Sequence, residues 1–218
     1  MKVIPQIQNN HTELTAWRRD IHAHPELGFE EERTAKLVAD RLEGFGYQVE
    51  RAVGGTGVVG TLRNGESSRA IGMRADMDAL AIQETSGLPY ASATDGKMHA
   101  CGHDAHMAIL LGVARVLSDL RAEMPGTVMF IFQPAEEGPP GDEEGGAELM
   151  LKEGIFAGPD RPGAVFGLHV FPGPTGSIMY RPNGFMAASD YLEINVAGVQ
   201  THGASPWHGV DPIASAAQ

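Results

Sequence analysis

Apolar residues recur at helical spacing twice near the start of the chain. Leu14, Trp17 and Ile21 share one face of a segment predicted as a helix from about His11 to His24, ended by Pro25. Thr34, Val38, Leu42 and Phe45 form a second stripe, predicting a helix from about Glu30 to Phe45 closed by Gly44 and Gly46. The period then shortens. Tyr47 to Val53 and Gly57 to Leu62 read as β-strands joined through Gly54 and Gly55, with Asn64-Gly65 as the next turn. Ala70 to Ala75 reads as a buried strand ending at Asp76. Ala108 to Leu120, rich in Ala, Leu and Val, predicts a third helix. Thr127-Val-Met-Phe-Ile-Phe-Gln133, wholly apolar from Val128 to Phe132, reads as the clearest buried strand. A short helix near Ala147 to Glu153 follows, then strands over Ala164 to Leu168, Ser177 to Tyr180 and Tyr191 to Val199.

Strands alternating with helices predict an α/β layered domain with a largely parallel sheet. In such sheets chemistry gathers beyond the carboxyl ends of the strands. Three predicted strands obey that rule. Asp76 and Asp78 follow one, Glu136 and Glu137 follow another through Pro134, and His169 follows a third. Metal-type side chains thus converge on one sheet edge.

The turn before the third helix joins them there. Met98-His-Ala-Cys-Gly-His-Asp-Ala-His-Met107 holds the only cysteine, Cys101, and three of the nine histidines, His99, His103 and His106. Cys-x-His on a turn can place sulfur and imidazole on one ion, but a zinc site needs three or four ligands. A helix N-terminus also favours a thiolate over a thiol. An isolated cysteine is ordinarily an inert small core residue; the histidines beside it reverse that reading. His106, one helical turn after His103, reads as a supporting or packed residue rather than a ligand. Asp76 and Asp78 read equally well as turn caps. The adjacent carboxylates Glu136 and Glu137 cannot both point away from the sheet edge, which suits one ligand and one free base. Asp142, Glu143 and Glu144 lie among Gly and Pro and read as a solvated loop, and His22 and His24 as helix-end residues that are structural or face solvent. Gly55-Thr-Gly57-Val-Val-Gly60 matches a dinucleotide fingerprint in letters only, because it continues into a hairpin instead of opening a helix.

Composition narrows the classes. With 42% hydrophobic and 20% charged residues the 218-residue chain reads as a soluble globular protein, long enough for one domain and part of another. A formal net charge of −12 leaves no basic face for nucleic acid or an anionic membrane. Met1 to Asn10 lacks a signal-type apolar core, no run approaches membrane-spanning length, and one cysteine excludes an internal disulfide framework. A reducing compartment, by default the cytoplasm, is the expectation.

Six motifs in order carry a resemblance. Ile21-His-Ala-His-Pro-Glu-Leu-Gly-Phe-Glu-Glu31, Met73-Arg-Ala-Asp-Met-Asp-Ala-Leu80, His99-Ala-Cys-Gly-His-Asp-Ala-His106, Gln133-Pro-Ala-Glu-Glu-Gly138, Gly167-Leu-His-Val170 and Thr201-His-Gly-Ala-Ser-Pro206 together resemble the M20 metallopeptidase family, in its amidohydrolase branch of aminoacylase and hippurate-hydrolase type. The resemblance implies an α/β, three-layer, zinc-peptidase-like catalytic domain over 1–186. It implies the start of an inserted α+β lid and dimerisation domain over 187–218. It implies two divalent ions per site (Zn, Mn, Co or Ni) with Cys101, His103, Glu137 and His169 as ligands. A metal-bound water would attack, with Glu136 as general base, and His202, reaching a partner's site in a homodimer, would steady the oxyanion. The implied substrate is an N-acyl amino acid, cleaved to a carboxylic acid and a free amino acid.

Two positions depart from the pattern: Asp76 stands where other branches carry a histidine ligand, and Ala81 where proline is usual. Family members run to nearly twice this length, so a last ligand histidine and most of the lid are expected beyond Gln218, and residues 1–218 alone are expected to be inactive. The rival readings are a non-catalytic metal-binding or dimerisation fragment and a dipeptidase of the same family. A cysteine hydrolase is disfavoured, since no oxyanion motif accompanies Cys101.

Overall fold

The fold is described from a computed structural model, over residues 3–138, 141, 144–188 and 192–218. Asp142, Glu143 and Tyr191 lie outside the described residues. The chain divides into two compact units, Met1–Gly173 and Pro174–Gln218.

In the first unit the helices are α1 (Pro5–Ala23), α2 (Glu32–Gly44), α3 (His103–Asp119) and α4 (Gly146–Lys152). The strands are β1 (Gln48–Val53), β2 (Gly57–Arg63), β3 (Ala70–Asp76), β4 (Thr127–Gln133) and β5 (Ala164–Gly167). They form one sheet in the order β1-β2-β4-β3-β5. β1–β2 and β2–β4 pair antiparallel, whereas β4–β3 and β3–β5 pair parallel. The sheet is therefore mixed, not largely parallel. The reason is local: Gly54 and Gly55 turn β1 straight back into β2, and a short hairpin can only join antiparallel strands. The same hairpin uses up the fingerprint-like glycines.

β4 explains the layering. Every residue in it is buried, and the pleat sends successive side chains to opposite faces. Val128, Phe130 and Phe132 enter the larger core with Trp17, Ile21, Leu42, Met107 and Leu111 from α1, α2 and α3. Met129 and Ile131 point the other way, to Val53, Val59 and Met150, with Ile155 and Phe156 beside them. Helices thus cover both faces of the sheet. Because β4, β3 and β5 run parallel side by side, their carboxyl ends share one edge, as the polar residues following each strand predict.

α1 begins six residues before the sequence expectation, at Pro5, whose fixed φ suits the first helical turn. α3 begins at His103 instead of Ala108, so the Cys101-Gly102-His103 turn feeds directly into it. Gly102 has φ +89, and a Cβ there would lie 2.4 Å from Val170 Cγ2, so only glycine fits this cap. Among the described residues no helix is long and apolar enough to cross a membrane.

In the second unit, Ser177 to Tyr180 is irregular, not a strand, and its backbone ladder is absent. Over 192–199 the only pairing is an isolated bridge between Val199 and Val210. Asp211 caps the short helix α5 (Pro212–Ala216) through its carboxylate and the N–H groups of Ile213 and Ala214.

Candidate metal centre

The carboxyl edge of β4, β3 and β5 collects seven side chains from four segments: Asp76, Cys101, His103, His106, Glu136, Glu137 and His169. Cys101, His103 and His169 offer ligand atoms within 4.8 Å of one another, and so do His103, Glu136 and Glu137. His103 belongs to both trios and lies between them, fully buried at the start of α3.

The hydrogen bonds fix what each imidazole offers. His103 Nδ1 lies 2.8 Å from the Asp78 carbonyl oxygen. A carbonyl can only accept, so Nδ1 carries the proton and Nε2 keeps its lone pair. That Nε2 is buried with no hydrogen-bond partner, 3.6 Å from Glu137 and 3.8 Å from Glu136. His169 repeats the arrangement. Its Nδ1 donates to the Val170 carbonyl at 2.8 Å, and its Nε2 faces Cys101 Sγ at 3.3 Å. Imidazoles anchored through Nδ1 with Nε2 turned inward are the usual preparation for metal ligation. A buried nitrogen left unpaired is costly in a folded protein unless something else satisfies it. The residues present therefore fit a divalent ion.

His106 and Asp76 are arranged differently, although they too lie near His103. The Val170 N–H donates to His106 Nε2 at 2.9 Å, so His106 Nδ1 is the donor to Asp76 Oδ1 at 2.6 Å. Asp76 Oδ2 accepts from Arg74 at 2.7 Å. Every polar atom of this pair is engaged within the protein. They hold the His169 segment against α3, although Asp76 Oδ2 also lies 3.6 Å from His103 Nε2.

Charge explains the rest. Burial alone would raise the Asp76 carboxyl, but His106, Arg74 and His103 outweigh it and hold it at about 2. Burial likewise opposes protonation of His103, yet the hydrogen bond to Asp78 and the charges of Asp76, Asp78 and Glu137 raise its pKa. Glu136 is raised by burial first and then by Asp76, the direction that suits a proton acceptor working near neutral pH. Cys101 corrects an expectation. Its position before α3 was expected to favour the thiolate; instead burial, with Glu137, Glu136 and Asp76 behind it, pushes the thiol up to about 12. Three nearby carboxylates outweigh one helix terminus. The same repulsion argues against a thiolate–imidazolium nucleophile, despite the His169 contact. A bound cation would reverse the balance, because a coordinating thiol is deprotonated by its metal.

The first unit thus brings together Cys101, His103, Glu136, Glu137 and His169. His202 belongs to the second unit, on a turn where its Nδ1 accepts from the Ala204 N–H at 3.1 Å. Asp78 was left between turn cap and functional residue; its Oδ2 accepts the Glu137 N–H at 2.9 Å while its backbone anchors His103. The alternation Asp76-Met-Asp78 beyond a strand end was the available signal. Glu31 gave none.

A mixed sheet with inward-facing Cys, His and Glu at the ends of its parallel strands defines the class, a metal-binding α/β domain. Residues 72–216 match Peptidase family M20/M25/M40, and the chain belongs to that family. It is 45% identical over 217 residues to a hippurate hydrolase of Campylobacter jejuni, covering 99% of this chain and 55% of that one. It is 44% identical over 210 residues to an N-acyl-L-amino acid amidohydrolase of Geobacillus stearothermophilus, covering 95% and 54%. A dinuclear metal-binding M20 peptidase from Bacillus subtilis superposes with a TM-score of 0.68 at 43% identity, over 76% of this chain and 44% of that one. The chain spans about half the length of the curated relatives it matches.

Proposed function

We propose that this site serves metal-dependent hydrolysis of the amide bond of N-acyl amino acids, releasing a carboxylic acid and a free amino acid. The observation that carries the reading is the buried, unpartnered Nε2 of His103, set between Glu136 and Glu137 on one side and Cys101 and His169 on the other. The named activities of the two relatives supply the substrate class. Cys101, His103, Glu137 and His169 would hold two divalent ions, drawn from Zn, Mn, Co or Ni by ligand type and availability. Such ions supply Lewis acidity toward the acyl carbonyl and acidify water. Glu136 accepts the proton of the attacking water and passes it to the departing amine nitrogen. Asp78 keeps His103 and Glu137 in place. His202 is assigned to the developing oxyanion, across a homodimer formed through the lid that begins near residue 187.

Because the chain spans about half of its relatives, turnover by residues 1–218 alone is expected to be negligible. The test has two parts. First, the purified chain is titrated with Zn, Mn, Co and Ni, and bound metal is counted. Second, a chimera joins residues 1–218 to the remaining C-terminal part of the Campylobacter jejuni relative and is assayed on N-acetyl and N-benzoyl amino acids. Metal uptake with chimera turnover abolished by Glu136→Gln is the expected result. A chimera that binds metal but cleaves none of these amides would favour the non-catalytic reading, and cleavage of dipeptides alone would favour the dipeptidase.

A further inference from the structure

The segment that carries Glu136 and Glu137 is not a relaxed loop. Ala135, buried between Pro134 and Glu136, has φ +44, a left-handed conformation that a residue with a Cβ adopts at a cost of roughly 1–2 kcal/mol. Something must hold it there. The Ala135 N–H donates to Glu31 Oε1 at 2.9 Å, and the Glu31 Oε2 accepts from the Thr56 hydroxyl at 2.5 Å. Glu31 is fully buried, at the start of α2, more than a hundred positions away in sequence. Two residues further along, the Glu137 N–H is taken by Asp78. Alternate N–H groups of the turn are therefore clamped by two carboxylates. Gly28 closes the same turn from the side: a Cβ there would lie 3.1 Å from Ala135 Cβ and 3.2 Å from the Gly138 oxygen.

Burial of a carboxylate without a cationic partner is expensive, and an apolar residue would fill the space more cheaply. No described Lys or Arg pairs with Glu31. Among the described residues its side-chain oxygens accept from the hairpin turn at Thr56 and from the strained turn at Ala135. A residue kept at such a cost at the back of a reactive pair is best explained by what it aligns.

We propose that Glu31 is a positioning residue, which through the Ala135 N–H holds the 134–138 turn in its left-handed form and so aims Glu137 at the metal centre and Glu136 beside it. This rests on the metal-site reading above. The effect is on geometry, since Glu31 touches neither His103 nor Cys101.

The test uses the whole 218-residue chain with Co(II), whose visible absorption reports the ligand geometry. Glu31→Ala should lower Co(II) affinity about 10–100-fold and alter the spectrum, the size typical for groups that orient ligands. Glu31→Gln keeps an acceptor for the Ala135 N–H and should stay within about threefold of the native chain. Thr56→Val, which removes only the outer hydrogen bond, should fall between them. Amide exchange is read in parallel without metal: Glu31→Ala should speed exchange across 135–138 at least tenfold and leave β4 unchanged. A folded Glu31→Ala chain with native affinity and native exchange would overturn the proposal. Equal losses in the Gln and Ala variants would also overturn it, because charge and not alignment would then be at work. If Glu31→Ala does not fold, Thr56→Val decides, and unchanged affinity and exchange there refute the idea. A native chain that binds no Co(II) would remove the metal-site reading itself, and the exchange of the turn alone would then decide the role of Glu31.

Discussion

Glu136 and Glu137 differ by one position, and replacing each by glutamine should separate two functions. Their carboxylates lie 3.8 and 3.6 Å from His103 Nε2. Coulomb attraction to a bound divalent cation is therefore similar for both, about 8 kcal/mol at 4 Å with an effective dielectric of 20, and less for Glu136, whose side chain is 39% exposed against 24%. On the proposed roles, direct ligation adds to Glu137 only. Glutamine retains the backbone N–H that Asp78 holds, so Glu137→Gln changes the ligand and not the turn. Its metal affinity should fall at least tenfold further than that of Glu136→Gln. Catalysis should divide the opposite way. Loss of a general base costs about 10²–10⁴ in rate, roughly 3–5 kcal/mol of barrier. Glu136→Gln in the chimera should therefore keep its metal and lose turnover. The assay pairs Co(II) titration against a competing chelator with release of free amino acid from N-benzoylglycine at saturating metal. Equal loss of metal from both variants would refute the division of roles, as would a Glu136→Gln chimera that retains more than a tenth of native turnover.

Cys101→Ser should lose most bound metal while far-ultraviolet circular dichroism stays native; full metal occupancy would show that Cys101 is not a ligand. Phe130→Ala, at a fully buried site edge-on to Tyr47, should lower unfolding free energy by about 3–5 kcal/mol in urea; a loss under 1 kcal/mol would mean the core is not packed as described. His99 is buried without a hydrogen-bond partner on either ring nitrogen, and burial lowers its pKa to about 4. The unfolded chain therefore takes up this proton first, so the contribution of His99 to stability is full above about pH 6.5 and declines as pH falls toward 4, by about 2 kcal/mol between pH 6.5 and 5. Urea midpoints of the native chain and His99→Gln across that range check it; parallel pH profiles would refute it.

The elements most legible in the sequence were those whose apolar spacing matched one period. Thr127 to Gln133 was read to the residue, because a strand buried on both faces is apolar along its middle, here Val128 to Phe132. The site followed from topology: polar ligand types directly after Ala75, Gln133 and Gly167 placed them on one edge without any knowledge of strand order. Strand direction was legible at the β1–β2 hairpin but not for β2 against β4, because periodicity is the same in parallel and antiparallel pairs. Ser177 to Tyr180 has strand-like residues and no ladder, since β-propensity expresses packing against neighbours more than backbone preference. The Cys101 thiol was misjudged because only the helix end is visible in sequence; the burial that outweighs it, and the carboxylates that add to it from beyond β3 and β4, come from the tertiary fold. Glu31 was invisible for a related reason. Its partners Thr56 and Ala135 lie on other turns, and a glutamate next to a glutamate at a helix start reads as solvated.

The strand order has a consequence for how the chain is made. β3 has no partner among the strands that precede it, since β4 and β5 flank it and both are synthesised later. At ~5–20 residues per second, β3 and the Cys101-Gly102-His103 turn wait several seconds for β4 to emerge from the ribosome. During that interval the β1–β2 hairpin can form, while the thiol and the apolar face of β3 stand open. Glu137 and His169 arrive last of the proposed ligands, so an ion captured early would meet only Cys101 and His103. The order of synthesis thus leaves the nascent thiol uncovered until β4 emerges, and the proposed ligand set is complete only after the sheet has closed.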